Sequence, residues 1–362
     1  MKNDLPEFER LKLILEAISK LNVRYAFSFP TLKIDYFLEN ICDEFGISLI
    51  IGTSETAAIE SALGYATYSN NIPLVIIDCN FIPLNFKSYL TYAVARKLAV
   101  IFVFVELLPI LILKELDSIG LVPERIGFTP IEVLNSAPGP RILFLDQPYN
   151  SNSDLNQKQV QNFENLSEVA FSSKISQQPN RSTFTLVDAF LEKLLKLLPN
   201  SIILPDAGAA HNLVRSRFHN FFNLTLNSEN YFWMGCSLRS VRGVALAQPE
   251  RIPIVVIGDG SMLLQGAELS WLVKTNTPCL ILLLINGQLG NRKSDKHVGR
   301  ASQLPFVDWE KFIQSLGSHC LPVQSSLESH LIINHIELMK RERRPLVIPV
   351  DITVDTDYFY SL

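Results

Sequence analysis

Two polar turns in the C-terminal half carry the residues best suited to hold a metal ion: GDGS at 258–261 and NGQ at 286–288. Each turn directly follows an apolar run long enough for a strand, and a helix-length segment separates the two. Asp259 supplies a carboxylate, Asn286 a side-chain amide oxygen and Gln288 a backbone carbonyl. Hard oxygen donors of this kind suit Mg²⁺ and leave coordination positions for phosphate oxygens. The turns therefore predict a site for a magnesium-bound phosphate compound.

Both turns are predicted to lie at the ligand-binding edge of a parallel sheet, because such sheets bind ligands at the carboxyl ends of their strands. Gly258 and Gly260 allow the backbone to turn sharply and to bring its N–H groups close to a ligand. A helix starting near Met262 would direct the positive end of its dipole at an anion. Tight GDG turns and Asn-Gly loops are also common without any ligand, so this motif alone leaves a purely structural role open.

The GDGS turn, with Asn286 placed 27 positions after Asp259, resembles the signature by which thiamine-diphosphate enzymes hold a magnesium diphosphate. The resemblance implies thiamine diphosphate and Mg²⁺ as cofactors. It identifies Asp259 and Asn286 as side-chain metal ligands and Gln288 as a ligand through its backbone carbonyl. One departure is visible at the second turn, where the family usually carries Asn-Asn and the first position here is Ile285.

The resemblance also implies a catalytic acid in the N-terminal half. Thiamine enzymes need a carboxylate against the aminopyrimidine ring, because protonation of that ring allows its imino form to remove the C2 proton. Glu55 follows the apolar run ISLIIG and stands eight residues before GYA at 64–66, which resembles the family's pyrimidine-binding helix. Taken alone, an acid in the first turn of a helix is explained more simply as a dipole-stabilising residue.

Two further fragments of the C-terminal half agree with the resemblance. In WMGCSLRSVRGVALAQP, at 233–249, Met234 matches the bulky apolar residue that holds the cofactor bent, and the carbonyl of Phe232 would accept from its amino group. In PDAGAAH, Gly208 permits close approach to the diphosphate, and His211 is a candidate for substrate contact. Core packing would account for Met234 as well, and a histidine on a helix face explains His211 equally simply. The residues predicted to bind the cofactor are Gly208, Phe232, Met234, Gly258, Gly260 and Ser261.

The apolar runs divide the chain into two α/β halves. Short continuous apolar segments separated by helical patterns indicate parallel sheets with helices on both faces. Residues 147–183 are rich in Asn, Gln and Ser, which is typical of a linker. We therefore predict a pyrimidine-binding domain over 1–146 and a diphosphate- and magnesium-binding domain over 184–362. The predicted strands are YAFSF (25–29), ISLII (47–51), PLVIID (73–78), LAVIFVFV (98–105), RILFLD (141–146), SIILPD (201–206), IPIVVIGD (252–259), LILLLI (280–285) and PLVIPVDI (345–352).

The composition is that of a globular protein and excludes several classes. The 362 residues are 48% hydrophobic and 19% charged with a net charge of -4, which offers no basic surface to nucleic acid. Five scattered cysteines without C-x-x-C spacing favour a reducing compartment over a disulfide framework or a zinc site. The N-terminus does not follow the pattern of an export signal. The apolar run at 98–113 contains Glu106 and Pro109, so it is interpreted as a buried strand and turn rather than a membrane span. We predict a cytoplasmic protein without a membrane or nucleic-acid partner.

Two halves in this order, without the middle domain of the larger decarboxylases, resemble the phosphonopyruvate and sulfopyruvate decarboxylases of the family. The resemblance implies a lyase that removes CO₂ from a 2-oxo acid without oxidation and releases an aldehyde. Two alternatives stay open: acyloin-type ligation of the decarboxylated fragment to an acceptor, and a non-catalytic homologue that keeps the fold for cofactor binding or assembly. An NAD-dependent dehydrogenase is disfavoured, because no G-x-G-x-x-G follows a first strand.

The loops that border the reacting carbon in those decarboxylases differ here. NFIPL at 80–84 stands in place of a small Gly-rich turn, and SFP at 28–30 in place of Gly-x-Pro. These changes predict a smaller or more apolar pocket and put phosphonopyruvate in doubt as the substrate. The basic segment NRKSDKH at 291–297 is either a site for an anionic tail or a solvated charge run. The family's usual arrangement implies a homodimer or higher homo-oligomer with active sites at subunit interfaces. The residues predicted to contact substrate are Ser28, Pro30, Asn80, His211, Arg292, Lys293 and His297.

Overall fold

A computed structural model of the chain contains two compact units, Met1–Lys174 and Ile175–Leu362. The boundary between them falls within the segment 147–183 that the sequence predicts to be a linker, and that segment lies outside the described residues. The structure describes residues 7–19, 21, 23–29, 35–78, 82–83, 85–104, 116, 118–119, 121, 124–125, 139–144, 186–218, 233–289, 302–324 and 329–352.

The first unit is built on a parallel sheet of six strands in the order β2-β1-β3-β4-β6-β5. Every neighbouring pair of these strands is parallel. Because β2 and β3 lie on opposite sides of β1, the carboxyl ends of β1 and β3 flank a topological switch point, where sheets of this class bind ligands. Its elements are α1 (Glu7–Ile18), β1 (Tyr25–Ser28), α2 (Asp35–Glu44), β2 (Ser48–Ile51), α3 (Glu55–Tyr68), β3 (Leu74–Ile77), α4 (Phe86–Ala95), β4 (Ile101–Phe104), β5 (Glu124–Arg125) and β6 (Arg141–Phe144).

The second unit is built on a parallel sheet of five strands in the order β10-β11-β9-β8-β7. Gly258, the last residue of β8, pairs with Leu284 of β9, so the polar turns that follow these two strands begin side by side. Its elements are α5 (Leu186–Leu197), β7 (Ile202–Pro205), α6 (Ala209–Arg217), α7 (Cys236–Ala247), β8 (Pro253–Gly258), α8 (Asp259–Gln265), α9 (Glu268–Lys274), β9 (Leu280–Ile285), α10 (Trp309–Ser315), β10 (His319–Cys320), α11 (Ser329–Glu342) and β11 (Leu346–Asp351).

The central strands are continuous apolar runs because both of their faces are buried. Every residue of β3 and β4 is buried, and so are the first five residues of β8, β9 and β11. Helices α5, α6 and α11 cover one face of the second sheet with an apolar cluster that includes Phe190, Leu213 and Ile336. Helices α1 and α2 do the same for the first sheet through residues such as Leu15 and Ile41.

The predicted α/β class with two parallel sheets is confirmed. Each of the nine predicted apolar runs contains a strand, whereas the two-residue strands β5 and β10 were not predicted because so short a pattern carries no periodic signal. The helix predicted to start near Met262 begins earlier, at Asp259. Gly258 is extended, with φ -80° and ψ 158°, and caps that helix directly. Asp259 therefore lies in the first helical turn rather than in a loop before it.

Among the helices of the described part of the chain, none combines the length and apolar character needed to cross a bilayer. The run at 98–113 does contain a buried strand, β4, and its remainder from residue 105 lies outside the described residues. Of the described cysteines, Cys42, Cys236, Cys279 and Cys320 are buried thiols. Burial raises the pKa of Cys42 and of Cys320 to about 12, so both thiols stay protonated and weakly reactive near neutral pH.

Candidate functional site

One pocket of the second unit gathers most of the residues predicted to hold the cofactor and the metal. It lies at the carboxyl ends of β7, β8 and β9 and has a volume of about 160 Å³. Apolar side chains from Leu284, Leu289 and Ile352 also line it. Residues as distant in sequence as Gly208 and Gln288 therefore meet at one edge of the sheet. The predicted residues in the lining are Gly208, Met234, Gly258, Asp259, Gly260, Ser261, Asn286 and Gln288.

Asp259 joins the two polar turns and is 3% exposed. Its Oδ2 accepts hydrogen bonds from the backbone N–H groups of Asn286, at 3.0 Å, and Gly287, at 2.7 Å. Its Oδ1 accepts from the N–H of Gly260 at 2.9 Å. The backbone N–H of Asp259 itself also hydrogen-bonds to this carboxyl. The carboxylate thus fixes the second turn against the first.

The second turn orients two further oxygen donors. Asn286 Oδ1 accepts from the N–H of Gln288 at 3.0 Å, which fixes the direction of that amide oxygen. Gln288 faces Gln303 in an isolated antiparallel bridge. The hydrogen bonds that flank this bridge use the carbonyl of Gly287, at 2.8 Å, and the N–H of Leu289, at 2.7 Å. In a pair of this kind the carbonyl of Gln288 itself points away from the partner segment.

This donor set fits Mg²⁺ better than it fits zinc. Carboxylate, amide and carbonyl oxygens are the ligands that Mg²⁺ takes in proteins, usually together with substrate phosphates. Zinc sites are built mainly from cysteine and histidine. Among the described residues, no three histidine, cysteine, aspartate or glutamate side chains come together as a metal-binding group. Asp259, Asn286 and Gln288 all line the pocket, and their role as metal ligands stays a prediction.

Two glycines keep part of the pocket open. A Cβ added to Gly208 or to Gly258 would meet nothing within 4 Å. Gly208 also has a φ of +91°, which L side chains rarely adopt. The space over these two residues is open, so a ligand group can approach their backbone closely. Gly260 has a different reason to be glycine, because a Cβ there would collide with the side chain of Leu289.

Met234 lines this pocket on a tight turn and is 40% exposed. The next residue, Gly235, has a φ of +81°. A Cβ added to Gly260 would lie 3.6 Å from the Cε of Met234, so the methionine tip lies over the GDGS turn. An apolar side chain that is exposed inside a pocket, rather than packed in the core, is available to a ligand. Its contact with the cofactor stays a prediction.

Asp206 is the residue of this site that the sequence analysis missed. It follows β7, is fully buried and precedes the pocket residue Ala207. Its Oδ2 accepts from the N–H of Gly235 at 2.9 Å, and its Oδ1 accepts from the N–H of Ser237 at 3.2 Å and from the Ser237 hydroxyl at 2.9 Å. The side chain of Ser261 adds a further hydrogen bond to this carboxyl. The signal was present in the sequence, because Asp206 ends the run SIILPD as Asp259 ends IPIVVIGD.

Burial perturbs both carboxyl groups of the site. Burial raises the pKa of Asp206. Its hydrogen bonds oppose this shift, and the bond with the Ser261 side chain opposes it most. Burial likewise raises the pKa of Asp259, and the backbone N–H groups of Gly287, Asn286 and Gly260 oppose it. A cation bound in the pocket would favour the ionised form of Asp259.

The first unit places Glu55 and Ser28 at the carboxyl edge of its own sheet. Glu55 is the first residue of α3, as predicted, and is partly exposed. The helix start is fixed by Ser54, whose hydroxyl accepts from the N–H of Ala57 at 3.1 Å. Ser28 ends β1, is 1% exposed and donates its hydroxyl to the carbonyl of Ile76 at 3.0 Å. The catalytic role of Glu55 and the substrate role of Ser28 stay predictions.

The remaining predicted residues divide into two groups. His211 lies in the first turn of α6 and is 1% exposed, and it is not among the side chains that line the pocket of the second unit. Its contact with substrate stays a prediction. Six residues lie outside the described part of the chain: Pro30, Asn80, Phe232, Arg292, Lys293 and His297.

Comparison with known proteins shows which class of protein the second unit resembles. Residues 207–350 match the sequence profile of the C-terminal TPP-binding domain of thiamine pyrophosphate enzymes. The matched span contains the pocket residues from Gly208 to Gln288 and both polar turns. The second unit is therefore similar, over most of its length, to the TPP-binding domain of these enzymes.

Individual relatives cover parts of the chain. A probable pyruvate decarboxylase of Schizosaccharomyces pombe is 37% identical over 83 residues, which are 23% of this chain and 14% of that protein. The acetolactate synthase isozyme 3 large subunit of Escherichia coli is 28% identical over 181 residues, 48% of this chain and 32% of that protein. This chain thus spans about a third or less of the length of these curated relatives. The thiamine diphosphate-dependent 4-hydroxybenzoylformate decarboxylase of Rhodococcus jostii RHA1 has a similar fold, with a TM-score of 0.60 at 13% identity, over 96% of this chain and 98% of that chain.

Proposed function

We propose that this protein is a thiamine-diphosphate- and Mg²⁺-dependent carboxy-lyase that decarboxylates a 2-oxo acid and releases an aldehyde. The observation that carries the proposal is the convergence of Asp259, Asn286 and Gln288 on one pocket inside the matched TPP-binding domain. The Asp259 carboxylate and the Asn286 amide oxygen are held in place by hydrogen bonds of 2.7 to 3.0 Å, and with the Gln288 carbonyl they would suit a hard cation.

The residues of the second unit would hold the cofactor by its diphosphate end. Asp259 through Oδ1, Asn286 through Oδ1 and Gln288 through its carbonyl would bind Mg²⁺. The open space over Gly208 and Gly258 would receive the diphosphate, close to the N-terminus of α8. Negative charge on the diphosphate is compensated there by the cation and by the helix dipole.

Apolar side chains of the same pocket would exclude water from the bound cofactor. Leu284, Leu289 and Ile352 line it together with Met234. Excluding water strengthens every electrostatic interaction inside the pocket and prevents unwanted proton transfer from solvent. Met234, held on its turn, would also support the cofactor from one side.

Glu55 would control the protonation of the cofactor's pyrimidine ring. When bound, thiamine diphosphate supplies a ring carbanion as nucleophile and a thiazolium that accepts the electrons released as CO₂ leaves. The Glu55 carboxyl would hold a proton at a ring nitrogen of the cofactor's pyrimidine. A capped helix start is a rigid base for such a group, because the Ser54 hydroxyl bond fixes the backbone beside it.

Carbon–carbon ligation is the second candidate for the same site. It is favoured by the match to an acetolactate synthase subunit, which covers 48% of this chain. In that case the decarboxylated fragment would be transferred to an acceptor instead of being released as an aldehyde. The substrate, in either case, is a 2-oxo acid, and phosphonopyruvate is one member of the class to be tested.

The proposal includes a homodimer or higher homo-oligomer with active sites at subunit interfaces, as is usual in the family. Mixing Glu55→Gln protein with Asp259→Ala protein tests it. Recovery of activity after subunit exchange supports interfacial sites, whereas no recovery from subunits that do exchange contradicts them.

The test of the function is a substrate screen. Purified protein is supplied with thiamine diphosphate and MgCl₂ and offered pyruvate, phosphonopyruvate and aromatic 2-oxo acids. We expect CO₂ release with at least one of them, loss of cofactor binding in Asp259→Ala, and cofactor binding without turnover in Glu55→Gln. Product analysis separates aldehyde from acyloin. Cofactor binding with no turnover of any 2-oxo acid would favour a non-catalytic homologue.

A further inference from the structure

The turn that carries Met234 is held by buried charged groups that no motif of the sequence identifies. The carbonyl of Met234 and the N–H of Gly235 belong to one peptide unit. The N–H donates to Asp206 Oδ2 at 2.9 Å, and the carbonyl accepts from Arg239 Nη2 in a longer contact of 3.5 Å. Asp206 is 0% exposed and Arg239 is 6% exposed. A carboxylate and a guanidinium thus contact the two ends of the same peptide plane.

A third contact fixes this turn from the side of the metal site. A Cβ added to Gly235 would collide with the side-chain stem of Gln265. Gln265 ends α8, the helix that begins with Asp259. The backbone of Gly235, with φ +81°, is therefore packed against the metal-binding helix while its N–H is held by Asp206.

We propose that Asp206, assisted by Arg239, is the positioning residue that sets the Met234–Gly235 peptide plane and so holds Met234 in the pocket for the cofactor. The peptide plane sets ψ of Met234 and φ of Gly235, and these angles aim the methionine. Met234 itself is 40% exposed, so its neighbours enclose only part of its side chain. The orientation of an exposed side chain then depends on its backbone, and the backbone depends on the buried carboxylate.

The inference rests on the proposed binding of thiamine diphosphate. A matched pair of variants separates the positioning of the Met234 turn from the general effect of losing a buried hydrogen bond. Asp206→Asn can keep the bonds to Ser237 through its amide oxygen, but it presents an NH₂ group to the N–H of Gly235 and cannot accept there. Ser237→Ala removes a buried hydroxyl bond to the same carboxylate and leaves the bond to Gly235 intact. Both variants weaken the hydrogen bonds around residue 206, but only Asp206→Asn removes the bond that holds the Met234 turn.

The readout is the Kd of thiamine diphosphate in the presence of MgCl₂, measured by isothermal titration calorimetry on the full chain, with thermal melts of the apo proteins alongside. We expect Asp206→Asn to raise Kd about tenfold, as expected for one lost hydrogen bond to a charged acceptor. Ser237→Ala is expected to change Kd less than about twofold, although its melting temperature falls as well. A purely structural role of Asp206 predicts equal effects of the two variants on Kd.

A double-mutant cycle tests whether Asp206 acts through Met234. In a Met234→Ala background, Asp206→Asn is expected to raise Kd by less than about twofold, because the side chain to be positioned is gone. Should Asp206→Asn not fold, Arg239→Met replaces it in the cycle, with a rise of about threefold expected in the presence of Met234 and none in its absence. Effects that add in full overturn the positioning role. Failure of the unmodified protein to bind thiamine diphosphate would instead overturn the proposed function.

Discussion

Gly258→Ala should raise the stability of the apo protein and at the same time weaken its binding of the cofactor. Gly258 has φ -80° and ψ 158°, which alanine adopts without strain, and a Cβ there meets no heavy atom within 4 Å. The apo protein should therefore gain about 0.4–1 kcal/mol from the smaller entropy of its unfolded chain. The added methyl group fills space that the diphosphate is proposed to occupy. An overpacked methyl group costs about 1–3 kcal/mol, which corresponds to a rise of about 5- to 150-fold in Kd.

The assay combines urea unfolding of the apo protein with titration of thiamine diphosphate in the presence of MgCl₂. Gly317→Ala is the matched control in the same unit. Gly317 has φ +84°, and its Cβ would lie 3.3 Å from Val273 Cγ1. That substitution should cost about 1–2 kcal/mol of stability and leave Kd unchanged, because Gly317 does not line the pocket.

Two results would refute this reasoning. An unchanged Kd in Gly258→Ala shows that the diphosphate does not use the space over Gly258. A lower stability of the apo variant shows that the space is not open in solution. We therefore expect Gly258→Ala to lose affinity for the cofactor and Gly317→Ala to lose stability.

Three further predictions concern single groups. Because burial raises the pKa of Asp259, its carboxyl takes up a proton at a higher pH than usual. Mg²⁺-dependent cofactor binding should then weaken as pH falls through that raised pKa, by up to about tenfold per pH unit, as titrations at a series of pH values will measure. Glu55→Gln should lower turnover by at least about a hundredfold while Kd for thiamine diphosphate changes little, as steady-state kinetics and calorimetry will measure. Asp308→Ala should lower the stability of the protein because the Asp308 side chain accepts from the N–H of Lys311 at 3.2 Å at the start of α10, as urea unfolding will measure.

Each of these predictions has an outcome that contradicts it. Affinity for the cofactor that is constant with pH would exclude Asp259 as a metal ligand that competes with protons. Normal turnover in Glu55→Gln would remove that residue from the proposed mechanism. Equal losses in Asp308→Ala and in Asp308→Ser, which keeps a capping oxygen, would show that the cap contributes little.

The strands and the two polar turns were predictable because their signals are local. A continuous apolar run such as LILLLI is buried on both faces and needs no distant information to be identified as a central strand. The turns at Asp259 and Asn286 follow such runs directly, so the edge where they meet follows from the parallel topology. The two-residue strands β5 and β10 were missed because their pairing depends on neighbours in the sheet rather than on their own pattern.

Sequence alone determined the α/β class, the two polar turns and the helix start at Glu55, because each of these is set by residue type within a few positions. Only the tertiary structure decided which N–H groups donate to each oxygen of Asp259, and that Asp206 and Arg239 contact the two ends of the Met234–Gly235 peptide. Those facts depend on which N–H groups from distant segments reach each oxygen. Side chains 29 and 27 positions from their partners are brought together by strand order and register, which no local pattern encodes.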